Sequence, residues 1–348
     1  MDLAGTILRG PEFEPVEGRL RVVNGVIQEI VPDDVDSERI VAPAFVNAHT
    51  HLGDSIAKEA GRGLSLEELV APPDGLKHRL LREASDDELI EGMRRSLSFA
   101  LRSGTAACLD FREGGVAGVE QLTRASDGLA IDAYAFARDS IDAMRAGDGF
   151  GASGANDDDF VEERTATREA SKPFGIHAGE PDSSDVDPAL DLEPDYLVHV
   201  VHPEPRHLDR IAETDVPIVC CPRSNLVTGV GLAPFEELHE RTTLALGTDN
   251  VMLNSPSMFR EMAVVSKYSS LDAPTVLRMA TRNGARLVGR DDGLLEPGRP
   301  ANCLVLDAST DNLVGVRDPV RAVVRRAGTA DVDEVIVDGD AVLGSSAD

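Results

Sequence analysis

AFVNAHTH, residues 44–51, is an apolar run of strand length that closes on two histidines, His49 and His51. Successive side chains of a strand alternate between its faces, so imidazoles two positions apart point to one side and can clasp a single cation. An isolated HxH pair is an ordinary polar strand end, and its weight depends on what ends the neighbouring runs. Seven further strand-like runs follow, separated by helix-like or loop segments: GTAACLDF (104–111), LAIDAYAFA (129–137), GDGFGASG (147–154), PFGIHAGE (173–180), YLVHVVH (196–202), PIVCCPRSN (217–225) and TTLALGTDN (242–250). The segments DDELIEGMRRSLSFALRSG (86–104), MFREMAVVSKYSS (258–270) and APTVLRMATRNGARLVG (273–289) carry apolar residues at helical spacing. Eight alternating units predict an α/β fold, a distorted (β/α)8 TIM barrel, in which the glycine-rich fourth run reads equally as a loop.

Working outward, the two chain ends look alike. Residues 18–31 (GRLRVVNGVIQEIV) and 333–343 (DEVIVDGDAVL) each alternate apolar and polar positions around an Asn-Gly or Asp-Gly pair, the pattern of a β-hairpin, and GLLEPGRPANCLVLD (293–307) adds a turn and a strand. These segments predict a composite β-sandwich domain built from residues 1–42 and 293–348, with the barrel, 43–292, inserted between its halves.

Composition excludes some classes. With 42% hydrophobic residues the chain of 348 is long enough for one large core and an accessory domain. Its 62 acidic against 34 basic residues leave a formal charge of −28, and the lysines are few: Lys58, Lys77, Lys172 and Lys267. Acidic residues scattered without a dominant block read as a surface adapted to a very salty, halophilic cytoplasm, where salt screens the self-repulsion. Nucleic-acid binding is disfavoured because no Lys/Arg stripe is present to neutralise phosphates. Cys108, Cys220, Cys221 and Cys303 lie in apolar runs without CxxC spacing, so they read as reduced core residues rather than a disulfide framework or thiolate metal site. The start MDLAGTILRG has no leader pattern, and no apolar run is long enough for a bilayer, so the expectation is a cytoplasmic protein with no membrane partner. Self-association into a homo-oligomer stays open.

Chemistry in such barrels sits at the C-terminal strand ends. Run one ends in His49 and His51, run five in His177 followed by Glu180, run six carries His199 and His202, and run eight ends in Asp249; five of the eight histidines fall on these ends. Neutral imidazoles with one carboxylate suit a divalent ion, Zn2+ foremost with Fe2+ open, and leave a position for water, as in a catalytic rather than a closed structural site.

At FVNAHTHLGDS (45–55), IHAGE (176–180), YLVHVVH (196–202), CPRSNLVTGVGLAPFEEL (221–238), LALGTDN (244–250) and the terminal LLEPGRPANCLVLD, the chain resembles the amidohydrolase superfamily, in particular its cytosine, guanine and S-adenosylhomocysteine deaminases. The resemblance implies that His49, His51, His177 and Asp249 are metal ligands. It further implies that Glu180 is the proton-shuttling glutamate and that His199 contacts the ion or its water. Binuclear members bridge two ions with a carboxylated lysine at the fourth strand end, and no lysine lies between Lys77 and Lys172, so one divalent ion is expected. His202 is read as structural.

A carboxyl three residues past a ligand places a proton donor above the substrate, which favours hydrolytic deamination of an aminated heterocycle, a purine, pyrimidine or nucleoside-like small molecule. The alternatives are another reaction on the same scaffold, chloride displacement or cyclic-amide opening, and a non-catalytic relative. Arg223 and Asn225 in CPRSN, together with Lys77 and Arg112, are the candidate substrate contacts.

Overall fold

A computed structural model describes residues 1–70 and 73–343. The chain divides into two compact units, Met1–Asn47 with Phe99–Ala107 and Ser257–Asp348, and Ala48–Ser98 with Cys108–Pro256.

The first unit holds a seven-stranded mixed sheet. It contains β1 (Asp2–Arg9), β2 (Glu14–Val23), β3 (Val26–Pro32) and β4 (Arg39–Pro43) from the beginning of the chain, with β14 (Cys303–Asp307), β15 (Val332–Val337) and β16 (Asp340–Leu343) from its end, in the order β16-β15-β14-β4-β1-β2-β3. The two ends of the chain therefore share one sheet, and β14 joins them by pairing antiparallel with β4 from Cys303↔Pro43 to Asp307↔Arg39. Both expected hairpins form. Asn24 and Gly25 have φ of 51° and 78°, and Asp338 and Gly339 have φ of 50° and 83°. Two consecutive left-handed residues are what a two-residue turn needs to match the right-handed twist of its strands. Alternate residues of these strands, Leu3, Ile7, Leu20, Val22, Ile27, Val41, Cys303, Val305 and Ile336, gather into one apolar cluster. The expected long helix over 273–289 is two short ones, Ala273–Met279 and Arg282–Arg286; at the break the Thr281 hydroxyl donates to Leu277 O, a side-chain bond that competes with helix continuation.

The remaining strands form a nine-membered sheet in the order β12-β11-β10-β9-β8-β7-β6-β5-β13. They are β5 (Phe45–His51), β6 (Thr105–Arg112), β7 (Asp132–Ala137), β8 (Gly149–Ala152), β9 (Phe174–Ala178), β10 (Tyr196–His199), β11 (Ile218–Cys220), β12 (Leu244–Leu246) and β13 (Asp249–Asn250). The second unit carries the C-terminal ends of β5 and β6 and all of β7–β13. Parallel pairing joins β7 to β8, β8 to β9, β9 to β10, β10 to β11 and β11 to β12. Helices such as Gly115–Ser126, Val161–Ala170 and Pro205–Thr214 separate the strands, the alternation of a TIM-type α/β fold.

Two of these strands, β12 and β13, are one run interrupted at Gly247–Thr248. There the Gly247 N–H donates to Cys220 O and the Thr248 N–H to His49 O, so the eighth run bonds both the seventh and the first. A Cβ on Gly247 would lie 2.6 Å from the His49 Cβ and 2.8 Å from its backbone nitrogen, so only glycine lets the run come this close. The fourth run is a strand, and its glycines have the same explanation: a Cβ on Gly151 would meet the Phe111 ring at 2.5 Å. Cys108, Cys220, Cys221 and Cys303 are free and buried. Among the described residues no helix is long and apolar enough to cross a membrane.

Candidate active site

The structure brings His49, His51, His177, His199, Glu180 and Asp249 to one place. His49 and His51 end β5, His177 lies near the end of β9 and His199 ends β10, at the C-terminal ends of their strands, and Asp249 opens β13 three residues past the end of β12. His199 has φ of 78°, Val200 of 48° and Asp249 of 58°, left-handed conformations that cost non-glycine residues energy.

Hydrogen bonds settle which ring nitrogens face the centre. His177 Nδ1 lies 2.8 Å from Ala152 O and His51 Nδ1 3.1 Å from Phe111 O. A carbonyl only accepts, so each Nδ1 carries the proton and each neutral ring turns an Nε2 lone pair inward. His51 Nε2 stands 3.5 Å from Asp249 Oδ1, His49 Nε2 stands 3.3 Å from the same oxygen, and His49 Nε2 and His177 Nε2 are 3.3 Å apart. The His51–Asp249 approach sets a lone pair against a carboxylate oxygen, which repel unless a cation lies between them. Four donors held at about 2.0–2.1 Å around a tetrahedral ion would be roughly 3.4 Å from one another. The three separations match that edge, and the ligand atoms of His49, His51 and Asp249, like those of His49, His177 and His199, all lie within 4.8 Å of one another, a potential site for a zinc-sized divalent ion.

Burial tunes the same groups toward ligation. It lowers the pKa of His49, with the Asp249 hydrogen bond opposing, and it takes His51 down to about 3 with help from the Lys77 ammonium. His177 is pushed well below its ordinary value by burial and then by the neighbouring histidines. For Asp249, burial works toward the neutral acid, but the His49 hydrogen bond and then the attraction to His199 outweigh it and hold its pKa well below the ordinary value. Glu180 goes the other way, raised by burial against the pull of His199. The two carboxyls thus stand on opposite sides of their ordinary range although Glu180, His199 and Asp249 offer ligand atoms within 4.8 Å of one another.

Several supporting residues had not been singled out by the sequence. Ser224 Oγ donates to Asp249 Oδ2 at 2.6 Å, and Asn250 Nδ2 donates to Asp249 Oδ1 at 3.0 Å. Glu113 accepts from His51 Nδ1 at 3.0 Å, and the Phe111 ring lies edge-on beneath His49 and His177 with centroids 4.6 and 5.1 Å away. Each had a signal available: Ser224 and Asn250 sit inside CPRSN and GTDN, Phe111 ends the second run and Glu113 lies two residues past it.

Of the candidate substrate contacts, Asn225 reaches the centre, donating to Glu180 Oε1 at 3.2 Å and lying 3.1 Å from His199 Nδ1. Lys77 is buried within a side-chain network beside His51. Arg112 is enclosed, bonded to Glu113 O and Met93 Sδ, with its guanidinium filling the space a Cβ on Gly53 would need. Half-buried Arg223 donates to Ser255 O at 2.6 Å. His202 is exposed. A cavity of about 390 Å³ shares Glu113 with this centre and is lined also by His78, Arg138, Phe150 and Phe160.

The amidohydrolase family model matches residues 40–174 and 162–342. The chain belongs to the amidohydrolase family. A Methanothermobacter thermautotrophicus protein provisionally named an aminohydrolase is 34% identical, over 97% of each chain. The 5-methylthioadenosine/S-adenosylhomocysteine deaminase of Haloarcula marismortui is 29% identical over 89% of this amidohydrolase and 83% of its own length. Among solved structures, atrazine chlorohydrolase of Arthrobacter aurescens complexed with zinc superposes with a TM-score of 0.82 at 21% identity, covering 98% of this chain and 95% of its own. At that identity it is the fold that is shared.

Proposed function

We propose that this amidohydrolase is an aminohydrolase that removes, with water, the exocyclic amino group of a purine, pyrimidine or nucleoside-like ring. The observation that carries the reading is the opposed tuning of two neighbouring carboxyls: burial shifts Glu180 upward, the direction a proton donor needs, beside Asp249, which is held well below its ordinary value. Relatives bearing deaminase names support the same reaction class.

On this reading His49, His51, His177 and Asp249 would hold one divalent ion, Zn2+ before Fe2+. When bound, such an ion lowers the pKa of water from 15.7 to about 7 and so supplies a nucleophile at neutral pH. Asp249 accepts the proton that the attacking water gives up. Asn225, bonded to Glu180 and in reach of His199, holds the Glu180 carboxyl where it can protonate a ring nitrogen and then pass a proton to the departing ammonia. A carbon–oxygen bond forms, the carbon–nitrogen bond breaks, and both protons of the water end on nitrogen. His199 orients the attacking oxygen, and the Phe111 ring below closes the floor against bulk water. Arg223, Lys77 and Arg112 brace the walls of the substrate site.

We further read residues 1–42 with 293–348 as an accessory β-sandwich and 43–292 as the barrel domain, in a cytoplasmic protein whose acidic surface suits high salt. Ammonia release across a panel of aminated bases and nucleosides, with product masses, tests the reaction. A gain of one mass unit in the product accompanies ammonia on the proposed reading; silence across the panel beside turnover of a cyclic amide or a chlorinated ring would overturn it.

A further inference from the structure

The helix Leu76–Glu83, in the long segment after β5, buries a single side chain, and that side chain is a lysine. Lys77 is 2% exposed. Its Nζ lies 2.6 Å from Glu113 Oε1 and donates to Asn250 Oδ1 at 3.2 Å. Each of these partners leads to a different member of the proposed metal set. Glu113 Oε1 is 3.0 Å from His51 Nδ1, and Asn250 Nδ2 donates to Asp249 Oδ1 at 3.0 Å. One ammonium thus ties together the two groups that orient His51 and Asp249, and those two ligands come from the first and the last barrel strands.

The arrangement goes beyond what an ion pair needs for stability. Glu113 already has two other cations at its carboxylate, Arg112 Nη2 at 3.6 Å and Arg138 Nη1 at 3.5 Å, both at longer range. An ammonium is a compact charge with three rotatable donors, so it can bond a carboxylate and an amide oxygen at the same time. Asn250 is a further clue. With its Oδ1 held by Lys77, its Nδ2 is left to donate to Asp249; released from the lysine, the amide is free to flip and turn an acceptor toward that carboxylate. Outer partners of metal-binding side chains fix ring and carboxylate orientation, and their loss costs metal affinity.

We propose that Lys77 is a positioning residue that sets the geometry of the metal centre through Glu113 and Asn250, reaching in from outside the barrel strands. The inference rests on the metal-dependent reading above. It makes the helix Leu76–Glu83 part of the ion's support, so metal retention depends on how that helix docks.

The test is metal affinity of Lys77→Met, Lys77→Gln and wild type, measured by competition with a chromophoric chelator in high salt, together with the visible spectrum of the Co2+-loaded proteins. Lys77→Met is expected to lose about 10- to 100-fold in affinity and to change the Co2+ spectrum. Lys77→Gln, which keeps a donor and the fold if the methionine variant proves insoluble, is expected to lose less than Lys77→Met. Adding Lys77→Met to a Glu113→Gln/Asn250→Ala background should cost little more, because the lysine acts through those two. Wild-type affinity and an unchanged spectrum in both lysine variants, with only KM raised, would overturn the proposal and make Lys77 a substrate contact while leaving the hydrolase reading standing. A wild-type protein that binds no divalent ion would remove the hydrolase reading, and the proposal with it.

Discussion

His49 Nε2 and His177 Nε2 face each other at 3.3 Å across 128 positions of chain. His49 is fully buried and its Nδ1 has no hydrogen-bond partner among the described residues. The His177 proton is held on Nδ1 by Ala152 O, so its Nε2 presents a lone pair to His49 Nε2. Two imidazoles brought nose to nose beside a carboxylate make a potential metal site.

The two carboxyls of the centre should fail differently. Glu180→Gln is expected to retain the metal and to lose about 10²- to 10⁴-fold in turnover, the range for loss of a general acid–base group. Asp249→Ala should lose both metal and turnover, since it removes a ligand. Metal content by elemental analysis beside ammonia release separates them; equal metal loss in both variants would contradict the division of roles.

Gly247→Ala should damage the site without replacing any proposed ligand. Its methyl would sit 2.6–2.8 Å from the Cβ, nitrogen and oxygen of His49. Backbone atoms cannot swing aside, so β13 must part from β5, at a cost on the order of 1–3 kcal/mol or more. Reduced denaturant midpoint together with weakened metal retention is the expected outcome.

Asp110 carries a pH signature. It is fully buried, accepts from the Thr50 hydroxyl at 3.2 Å, and burial raises its pKa from 3.8 to about 6, with Arg112 opposing. The folded state therefore binds the proton more tightly than the unfolded chain between these values. Its contribution to stability is present below about pH 4 and is lost as the pH climbs through about 6, a change on the order of 3 kcal/mol. Asp110→Asn stays neutral, so its stability relative to wild type should rise across that window in denaturant titrations; a constant difference from pH 4 to 7 would contradict the assignment.

How much of this was legible beforehand depends on range. His49 and His51 could be read because a strand's two-residue period fixes their common side, and HAGE and GTDN could be read because strand ends carry a barrel's chemistry. Glycines left the fourth strand open to a loop reading: Gly149 and Gly151 lower strand propensity, and the reason for them, room for Phe136 and Phe111, exists only after folding. Lys77 could be listed among pocket residues, but its partners Glu113 and Asn250 are far along the chain, and no local period brings them together. The break at Thr281 escaped for the opposite reason, since it depends on one hydroxyl bond inside a segment whose apolar spacing is otherwise helical.

The charge of −28 predicts a salt response. The Debye length falls from about 10 Å at 0.1 M to about 3 Å at 1 M, which quenches repulsion between acidic surface groups. The thermal midpoint should climb steadily from 0.1 M to 2 M KCl; a midpoint that is flat or falls would count against adaptation to salt.

The most direct measurement is anomalous diffraction at the zinc absorption edge from crystals grown with zinc. One peak per chain, within about 2.5 Å of His49 Nε2, His51 Nε2, His177 Nε2 and Asp249, is the expected result. A map without a peak there, or one whose zinc sits on other residues while these four stay apart, would contradict the account.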